Sequence, residues 1–444
     1  MGSRITLVML PCFSPARPPL SLAVLSGFLR RRGKSALIRD VNIDCFRQFD
    51  RSWWHGRRFS LWTDPGRFSR LLKRIGPWLE QEAAILASQP GWLGFSVFST
   101  NVQVVEFVAR RIKELVPGKR IVFGGPQARP YLDGRRFVQE GLCDFAVYSE
   151  GENALLDILD GNPEPSGSFF LRPAGIEKRP VRLVEPAELT APDFHDFPLD
   201  RYIQAQTFPL MAGRGCLNHC SFCEERRLFP GYRRMTDQVL FESLDQIEAS
   251  GGKRVIFSDS VLNPGAGAVL QLAERLATFL KGFAYEGNVQ VQGLERSDIR
   301  ALKKSGFRAL TAGIESGSPR VLRLMRKSVS WGKAHTLCRM CCDEGIELKL
   351  NFIIGFPAEG WLDLLLTMVL IVTLAPFKPR IDPVAAPCAM LSGSAMAADP
   401  CRYGILQADT IRFTGARNDY RKRLLMMRLF NGFVLLLKRS GLIR

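Results

Sequence analysis

The sequence lacks any apolar run long enough to cross a membrane. Its longest apolar stretch, residues 362–375, contains Asp363 and falls short of the roughly 20 residues that a spanning helix needs. At the N-terminus, Pro11 interrupts a short apolar segment too early for a cleavable leader. We therefore expect a cytoplasmic protein that is soluble or at most peripheral to a membrane.

Acidic residues are few relative to basic ones, 43 against 61, which gives a formal net charge of +18. A charge of this size would suit an anionic partner such as nucleic acid, a membrane surface or a phosphorylated substrate. The chain has no long basic run, however, and its 444 residues carry the charge in modest clusters at 30–34, at 226–227 and at the C-terminus. We attribute the charge to solubility and weak steering, and predict no nucleic-acid partner.

Cysteine, by contrast, is plentiful, and three of the eleven cysteines stand close together. Cys216, Cys220 and Cys223 are spaced x3 and then x2, with the aromatic Phe222 directly before the last of them. Three soft thiolates this close can hold three corners of an iron–sulfur cluster and leave the fourth iron without a protein ligand. The alternative is a structural zinc site whose fourth ligand is a residue such as His219.

The remaining cysteines predict no site. Cys338, Cys341 and Cys342 fall on one predicted helix, where small buried hydrophobic side chains explain them best. Many thiols in a chain without a cleavable leader favour a reducing compartment.

Short apolar segments alternate with helical periodicity through the first 160 residues, with strands predicted at 5–10, 35–41, 92–98, 121–123 and 145–148. This alternation predicts an α/β fold, a Rossmann-like (flavodoxin-like) parallel sheet with helices on both faces. Ligands of such sheets bind at the carboxyl ends of the strands. Taken one at a time, the loops there are better explained as tight turns than as binding loops. The candidates at these ends include Ser96, Ser99, Gly124, Gly125 and Glu150.

A second alternating series follows a proline-rich segment, for which we predict a linker with one short hairpin. Its strands are predicted at 209–213, 254–259, 288–292, 309–314, 349–354 and 381–385. Six such units predict a partial (β/α)6 TIM-type barrel, followed by a helical C-terminal tail. The expected domains are therefore residues 1–160, 161–205 for the linker, 206–390 for the barrel and 391–444. The cysteine loop would follow the first barrel strand, at the mouth where barrel enzymes place their sites.

Polar and glycine residues also follow the later barrel strands. Asp259 ends the second predicted strand, Glu315 follows the fourth, and Gly355 and Phe356 follow the fifth. Carboxylates and hydroxyls that converge on one barrel mouth suit a polar ligand bearing an amine and a ribose. A helix cap or a turn would explain any one of them. As a set beside the cysteine loop, they favour a functional site.

These motifs together resemble the radical S-adenosylmethionine (SAM) superfamily. The cysteine spacing, with Phe222 before the last cysteine, is similar to the signature of this superfamily. Segments 313–318 and 354–357 look like later landmarks of the same barrel. The N-terminal half, through segments 18–20, 94–97, 124–126 and 149–152, resembles the cobalamin-binding domain of the cobalamin-dependent branch, whose members include the class B methylases. The resemblance runs from about residue 5 to about residue 360.

The resemblance implies three cofactors: a four-iron, four-sulfur (4Fe-4S) cluster on Cys216, Cys220 and Cys223, S-adenosyl-L-methionine, and cobalamin. SAM would be cleaved to a 5′-deoxyadenosyl radical with an electron from an external donor of the flavodoxin or ferredoxin type. Methylcobalamin would then supply a methyl group to an unactivated carbon of a small-molecule, lipid or peptide substrate. The remaining implied contacts are Phe222, Gly355 and Phe356 at the adenine, Asp259 and Glu315 at the methionine portion and ribose, and Ser96, Ser99, Gly124, Gly125 and Glu150 at the cobalamin.

Two alternatives stay open. The first is a radical transformation without methyl transfer, as in the anaerobic porphyrin cyclases, and the second is a non-catalytic cobalamin or iron–sulfur binding protein. The sequence also departs from one family motif. Its only histidines, at positions 55, 195, 219 and 335, form no Asp-x-His-x-x-Gly, which excludes histidine ligation of cobalt through that motif.

The segment from residue 420 to residue 438 is apolar at helical spacing and flanked by basic residues. Such a helix commonly docks on a domain or closes a cavity, and this is the interpretation that we prefer. A basic amphipathic helix can instead lie on an anionic membrane. Peripheral membrane contact through this helix is therefore the alternative expectation.

Overall fold

The computed structural model describes residues 4–279, 282–377, 381–407 and 412–443. Small parts of the predicted barrel and C-terminal region therefore lie outside the described residues. The chain forms two compact units, one of residues 1–209 with 238–252, the other of residues 210–237 with 253–444. No described helix combines the length and the apolar content that crossing a bilayer requires.

The strands, in chain order, are β1 (Arg4–Met9), β2 (Ser35–Asp40), β3 (Trp92–Ser96), β4 (Ile121–Gly124), β5 (Phe145–Val147), β6 (Ser168–Arg172), β7 (Gly175–Lys178), β8 (Thr207–Leu210), β9 (Gly213–Gly215), β10 (Tyr232–Arg234), β11 (Arg254–Phe257), β12 (Ala284–Val289), β13 (Phe307–Glu315), β14 (Glu347–Ile354), β15 (Ile381–Pro387), β16 (Ile405–Gln407) and β17 (Thr414–Gly415).

The α-helices are α1 (Leu20–Arg31), α2 (Val41–Gln48), α3 (Ser60–Thr63), α4 (Pro65–Ser88), α5 (Val102–Leu115), α6 (Gly134–Gln139), α7 (Gly151–Leu159), α8 (Glu225–Leu228), α9 (Asp237–Ala249), α10 (Ala268–Thr278), α11 (Arg296–Ser305), α12 (Pro319–Leu324), α13 (Trp331–Asp343), α14 (Trp361–Leu374), α15 (Ala395–Ala398) and α16 (Tyr420–Arg439).

The first unit is built on one sheet with the strand order β2-β1-β3-β4-β5-β6-β7. Pairing is parallel through β5 and antiparallel for β6 and β7. Strands β1 and β3 are almost entirely buried, because helices cover both faces of a parallel sheet. The order 2-1-3-4-5 is that of flavodoxin-like folds, so the predicted fold class is confirmed. The hairpin predicted between residues 161 and 205 is β6–β7, and it extends this sheet.

The second sheet has the order β15-β14-β13-β12-β11-β8, so its strands lie side by side in chain order. Neighbouring strands from β11 to β15 are parallel, and helices connect them. This is the arrangement expected of six βα units. Strand β12 begins at Ala284, earlier than the predicted residue 288. Gly287 hides the alternation there, because glycine has no side chain to contribute to the pattern. The position requires glycine, since a Cβ would meet Leu262 Cδ1 at 2.5 Å.

The C-terminal region packs on the rest of the second unit, to which it belongs, partly through an apolar cluster. Helix α16 lies against β14, β15 and α14. The cluster also receives the partly buried Phe222 from the cysteine loop. Its buried members are Val321, Met325, Phe356, Cys388, Met390, Met396, Tyr403, Ile405 and Phe413.

Candidate functional site

The cysteine loop begins at a glycine that no other residue could replace without strain. Gly215 ends β9 with a φ of +88°, and a Cβ there would lie 2.0 Å from the carbonyl oxygen of Gly231. Strand β9 pairs antiparallel with β10, so the two backbones approach closely at the start of the loop. Beyond it, Cys216 is buried, whereas Cys223 is exposed.

The middle of the loop is fixed by the fully buried Ser221. Its N–H donates to the carbonyl of Met325 at 3.0 Å, and its hydroxyl donates to the carbonyl of Leu324 at 2.9 Å. Its own carbonyl accepts the N–H of Met396 at 2.9 Å. Three hydrogen bonds to two distant segments hold the backbone between Cys220 and Cys223 in one conformation.

Hydrogen-bond donors approach two of the thiols. Asn218 Nδ2 lies 3.4 Å from Cys216 Sγ, and the backbone N–H of Glu225 lies 3.4 Å from Cys223 Sγ. Donors of this kind stabilise thiolates and the sulfur ligands of iron–sulfur clusters. The donor set therefore has the chemistry that a cluster requires.

Within the described ranges, no three His, Cys, Asp or Glu side chains are already grouped as a metal site. The three cysteines nevertheless lie on one anchored loop, and soft thiolates are the ligands that clusters select. His219 is poorly placed to serve as the fourth ligand of the alternative zinc site. Its Nδ1 lies 2.7 Å from Arg226 Nη1, and a guanidinium opposes the binding of a cation.

A buried ion pair joins the end of β13 to the segment between α12 and α13. Glu315 has a φ of +69°, and its carboxylate lies 3.1 Å from Lys327 Nζ. Gly313 makes room for this pair, because a Cβ there would lie 2.2 Å from Glu315 Oε1. Burial raises the pKa of the Cys220 thiol, and the Lys327 ammonium opposes that effect. The charge of Lys327 therefore acts on both the carboxylate and the thiol.

Asp259 holds the segment that leads into the cysteine loop. One carboxylate oxygen accepts the N–H of Ala212 at 2.9 Å, and the other accepts the N–H of Gly213 at 2.7 Å. Its carbonyl accepts Asn288 Nδ2 at 2.8 Å. Burial raises the pKa of Asp259 to about 7, although the two N–H donors lower it. The predicted contact of Asp259 with SAM stays a prediction.

The stability of the second unit should therefore depend on the protonation of Asp259. Its folded pKa lies above its unfolded pKa, so the folded state binds the proton more tightly, and stability falls as the pH rises from about 4 to about 7. The loss is at most about 4 kcal/mol. We expect Asp259→Asn to flatten this slope. Denaturant unfolding of both proteins across this pH range measures it, and a variant with the slope of the wild type would contradict the assignment.

The turn after β14 carries a buried carboxylate that the sequence analysis missed. Glu359 is fully buried, and one of its oxygens accepts the N–H groups of Gly355 and Phe356, the latter at 3.1 Å. Its other oxygen, Oε1, has no hydrogen-bond partner among the described residues. Burial raises the pKa of Glu359 to about 8. The sequence signal for Glu359 was a carboxylate four residues after Gly355, a glycine already predicted to belong to the site.

The C-terminal segment holds the same turn from the other side. Asn418 Nδ2 donates to the carbonyls of Phe356 at 2.6 Å, Pro357 at 3.3 Å and Glu359 at 3.0 Å. Arg423 packs its side chain on Gly355, where a Cβ would lie 2.4 Å from Arg423 Cγ. Gly355 has a φ of +82°, so both its conformation and this contact require glycine.

The candidates of the first unit lie at the carboxyl ends of its strands. Ser96 is buried at the end of β3, and Ser99 is exposed shortly after it. Gly124 ends β4. The next residue, Gly125, has a φ of +92°, and a Cβ there would lie 2.9 Å from the carbonyl oxygen of Val97. The close approach of two backbones therefore explains Gly125.

Glu150 and Asn101 fix two loops at this edge of the first sheet. Glu150 is buried and accepts the N–H of Val184 at 3.1 Å. Asn101, which the sequence analysis missed, is fully buried, and its Nδ2 donates to the carbonyls of Leu10 at 3.2 Å and Ser96 at 3.0 Å. It therefore ties the end of β1 to the end of β3. The predicted role of these loops in binding cobalamin stays a prediction.

Comparison with known proteins identifies the class of the second unit. Residues 210–371 match the profile of the radical SAM superfamily, so the chain contains a radical SAM domain. An uncharacterized methyltransferase of Pyrococcus horikoshii is 25% identical over 286 residues, which make up 61% of each chain. This chain therefore matches less than two thirds of that relative's length.

Solved structures that share the fold include two cobalamin-bound enzymes. One is the radical SAM methyltransferase TsrM of Kitasatospora setae with cobalamin and a [4Fe-4S] cluster bound, at a TM-score of 0.71 and 15% identity, covering 92% of this chain and 80% of that one. The other is the cobalamin-dependent SAM radical enzyme OxsB with aqua-cobalamin and SAM bound, at a TM-score of 0.72 and 16% identity, covering 96% and 66%. The resemblance to the cobalamin-dependent branch is confirmed at the level of the fold.

Proposed function

We propose that the protein is a cobalamin-dependent radical SAM enzyme, most simply a methyltransferase that acts on an unactivated carbon. The observation that carries the proposal is the loop of Cys216, Cys220 and Cys223, anchored through Ser221 within the matched radical SAM domain. The two structures of the same fold support it, since both contain cobalamin. So does the relative from Pyrococcus horikoshii, which is named a methyltransferase.

The three cysteines would hold a 4Fe-4S cluster that, when bound, binds SAM and supplies one electron for its cleavage. The chain contributes the anchoring of the ligands. Ser221 fixes the loop between the second and third cysteines, and Asp259 orders the backbone that enters it. Lys327 places a positive charge near the Cys220 thiol, which stabilises its ionised form.

The adenine of SAM would bind against Phe222 and the turn of Gly355 and Phe356. Both aromatic rings belong to one apolar cluster, which excludes water from that side. Glu359 and Asn418 hold the backbone of the turn. Glu315, with its ion pair to Lys327, would offer a carboxylate to the polar part of SAM.

In the first unit, the loops that carry Ser96, Ser99, Gly124, Gly125 and Glu150 would hold cobalamin. Residues 1–160, 161–205, 206–390 and 391–444 stay the proposed division into cobalamin-binding domain, linker, barrel and tail. An external donor of the flavodoxin or ferredoxin type would supply electrons. The eleven cysteines, all described and all free thiols, support a cytoplasmic location. The substrate is proposed to be a small molecule, a lipid or a peptide.

The test uses the full chain, reconstituted anaerobically with iron, sulfide and cobalamin, and then supplied with a strong reductant and with SAM labelled in its methyl group. We expect 5′-deoxyadenosine to form and the label to reach protein-bound cobalamin without any added substrate. Formation of 5′-deoxyadenosine without methylated cobalamin would favour a radical reaction without methyl transfer. A protein that retains cluster and cobalamin but cleaves no SAM would instead be a binding protein, which contradicts the proposal.

A further inference from the structure

Two neighbouring helices of the second unit expose large apolar side chains. Helix α16 packs against α14. We define the α14–α16 surface as the exposed apolar residues of these helices, which are Trp361, Leu362, Leu365, Val369 and Val372 on α14 and Leu424, Leu425, Leu429, Leu435 and Leu436 on α16.

On α14 the exposed residues form one stripe. Leu362, Leu365, Val369 and Val372 recur at intervals of three and four, so they share one helix face, and they are 41–69% exposed. The only charged residue of the helix, Asp363, is buried. Contiguous apolar residues on this scale mark a surface that is covered in use.

On α16 the outward face is also cationic. Arg421, Arg428 and Arg439 are exposed beside its leucines, and the sequence of the helix contains no Asp or Glu. Lys422 Nζ lies 5.3 Å from the ring centre of Trp361, which joins the basic face of α16 to the apolar stripe of α14. Tryptophan and basic side chains at the border of an apolar stripe are typical of helices that lie on anionic bilayers.

The charge also argues against a second copy of the chain as the partner. A two-fold contact sets the same patch of each copy against the other. Through this surface it would bring the arginines of both copies together. Neither helix exposes a carboxylate to pair them, because Asp363 is buried, and like charges across an interface are unfavourable.

We propose that the α14–α16 surface docks the protein on an anionic membrane. The leucines and Trp361 enter the interface, and the arginines lie at the lipid phosphates. The buried side of α16 carries Arg423, which packs on Gly355, so docking would hold the proposed adenine turn near the lipid surface. Docking itself does not depend on the proposed methyl transfer.

Flotation with vesicles tests the apolar part of the surface. The full chain is mixed, without SAM, with vesicles of phosphatidylcholine and with vesicles that also contain phosphatidylglycerol. We expect binding to the second kind, and at least about tenfold weaker partitioning for Leu362→Gln/Leu365→Gln/Leu436→Gln. The matched control, Leu171→Gln/Ile203→Gln, changes side chains that are 64% and 61% exposed elsewhere, and should bind as the wild type does.

The charge is tested separately with Arg428→Gln/Arg439→Gln. We expect binding to anionic vesicles to fall by about fivefold for each arginine, and the difference to shrink at high salt. Circular dichroism verifies that each variant is folded. The proposal is overturned if the wild type does not bind anionic vesicles, or if the control loses as much as the triple variant. It is also overturned if no protein floats with the vesicles and sedimentation shows that the wild type and the control are dimers whereas the triple variant is a monomer.

Discussion

Replacing Cys220 by alanine is expected to abolish both retention of an iron–sulfur cluster and cleavage of SAM. The change removes one of three protein ligands from a loop whose backbone Ser221 holds in place, so the remaining two thiols cannot move to compensate. Bound iron and sulfide, visible absorbance and 5′-deoxyadenosine are measured after anaerobic reconstitution. The expected result is loss of all four signals together.

The matched control is Cys401→Ala, which removes an exposed thiol outside the loop. It should retain iron and form 5′-deoxyadenosine as the wild type does. A Cys220→Ala protein that still forms 5′-deoxyadenosine would contradict the assignment of the loop. So would equal loss of iron in both variants, because it would mean that the cluster depends on thiols in general.

Replacing Lys327 by methionine is expected to cost about 3 kcal/mol of unfolding free energy at neutral pH, since it leaves a buried carboxylate without its partner. The side chains of Glu315 and Lys327 are 10% and 16% exposed, and they lie 3.1 Å apart. Burial already raises the pKa of Glu315, and loss of the ammonium raises it further. The folded state of the variant then binds a proton more tightly than the unfolded state, so its stability falls as the pH rises.

Denaturant unfolding at several pH values measures this effect. Glu315→Gln/Lys327→Met should recover part of the loss, because the double variant buries no charge. Lys333→Met, at an exposed position on α13, is the control and should change stability by less than about 0.5 kcal/mol. A Lys327→Met protein as stable as the control would show that the pair does not hold β13 to the segment before α13.

The fold could be predicted from the sequence because apolar periodicity reports burial directly. Each predicted strand of both sheets corresponds to an observed strand. The start of β12 was displaced because Gly287 has no side chain to contribute to the pattern. The spacing of the cysteines is equally local, so the sequence alone was sufficient to identify the loop.

The supports of the site could not be predicted in the same way, because they join residues far apart in the chain. Ser221 bonds to Leu324 across 103 positions, and Asn418 bonds to Phe356 across 62. Serine and asparagine occur in many loops, so neither residue type points to its partner. The exposed stripe of α14 could not be predicted for a different reason, which is local. A helix that is apolar on almost every face has no hydrophobic periodicity, so its sequence does not show which face meets solvent.

The most direct test of the account is the yield of 5′-deoxyadenosine from SAM by the reconstituted full chain, with and without a strong reductant. The account predicts that the product forms only with reductant and only when the cluster is present. A protein that holds a full complement of cluster iron and binds SAM, but forms no 5′-deoxyadenosine under reducing conditions, would contradict it.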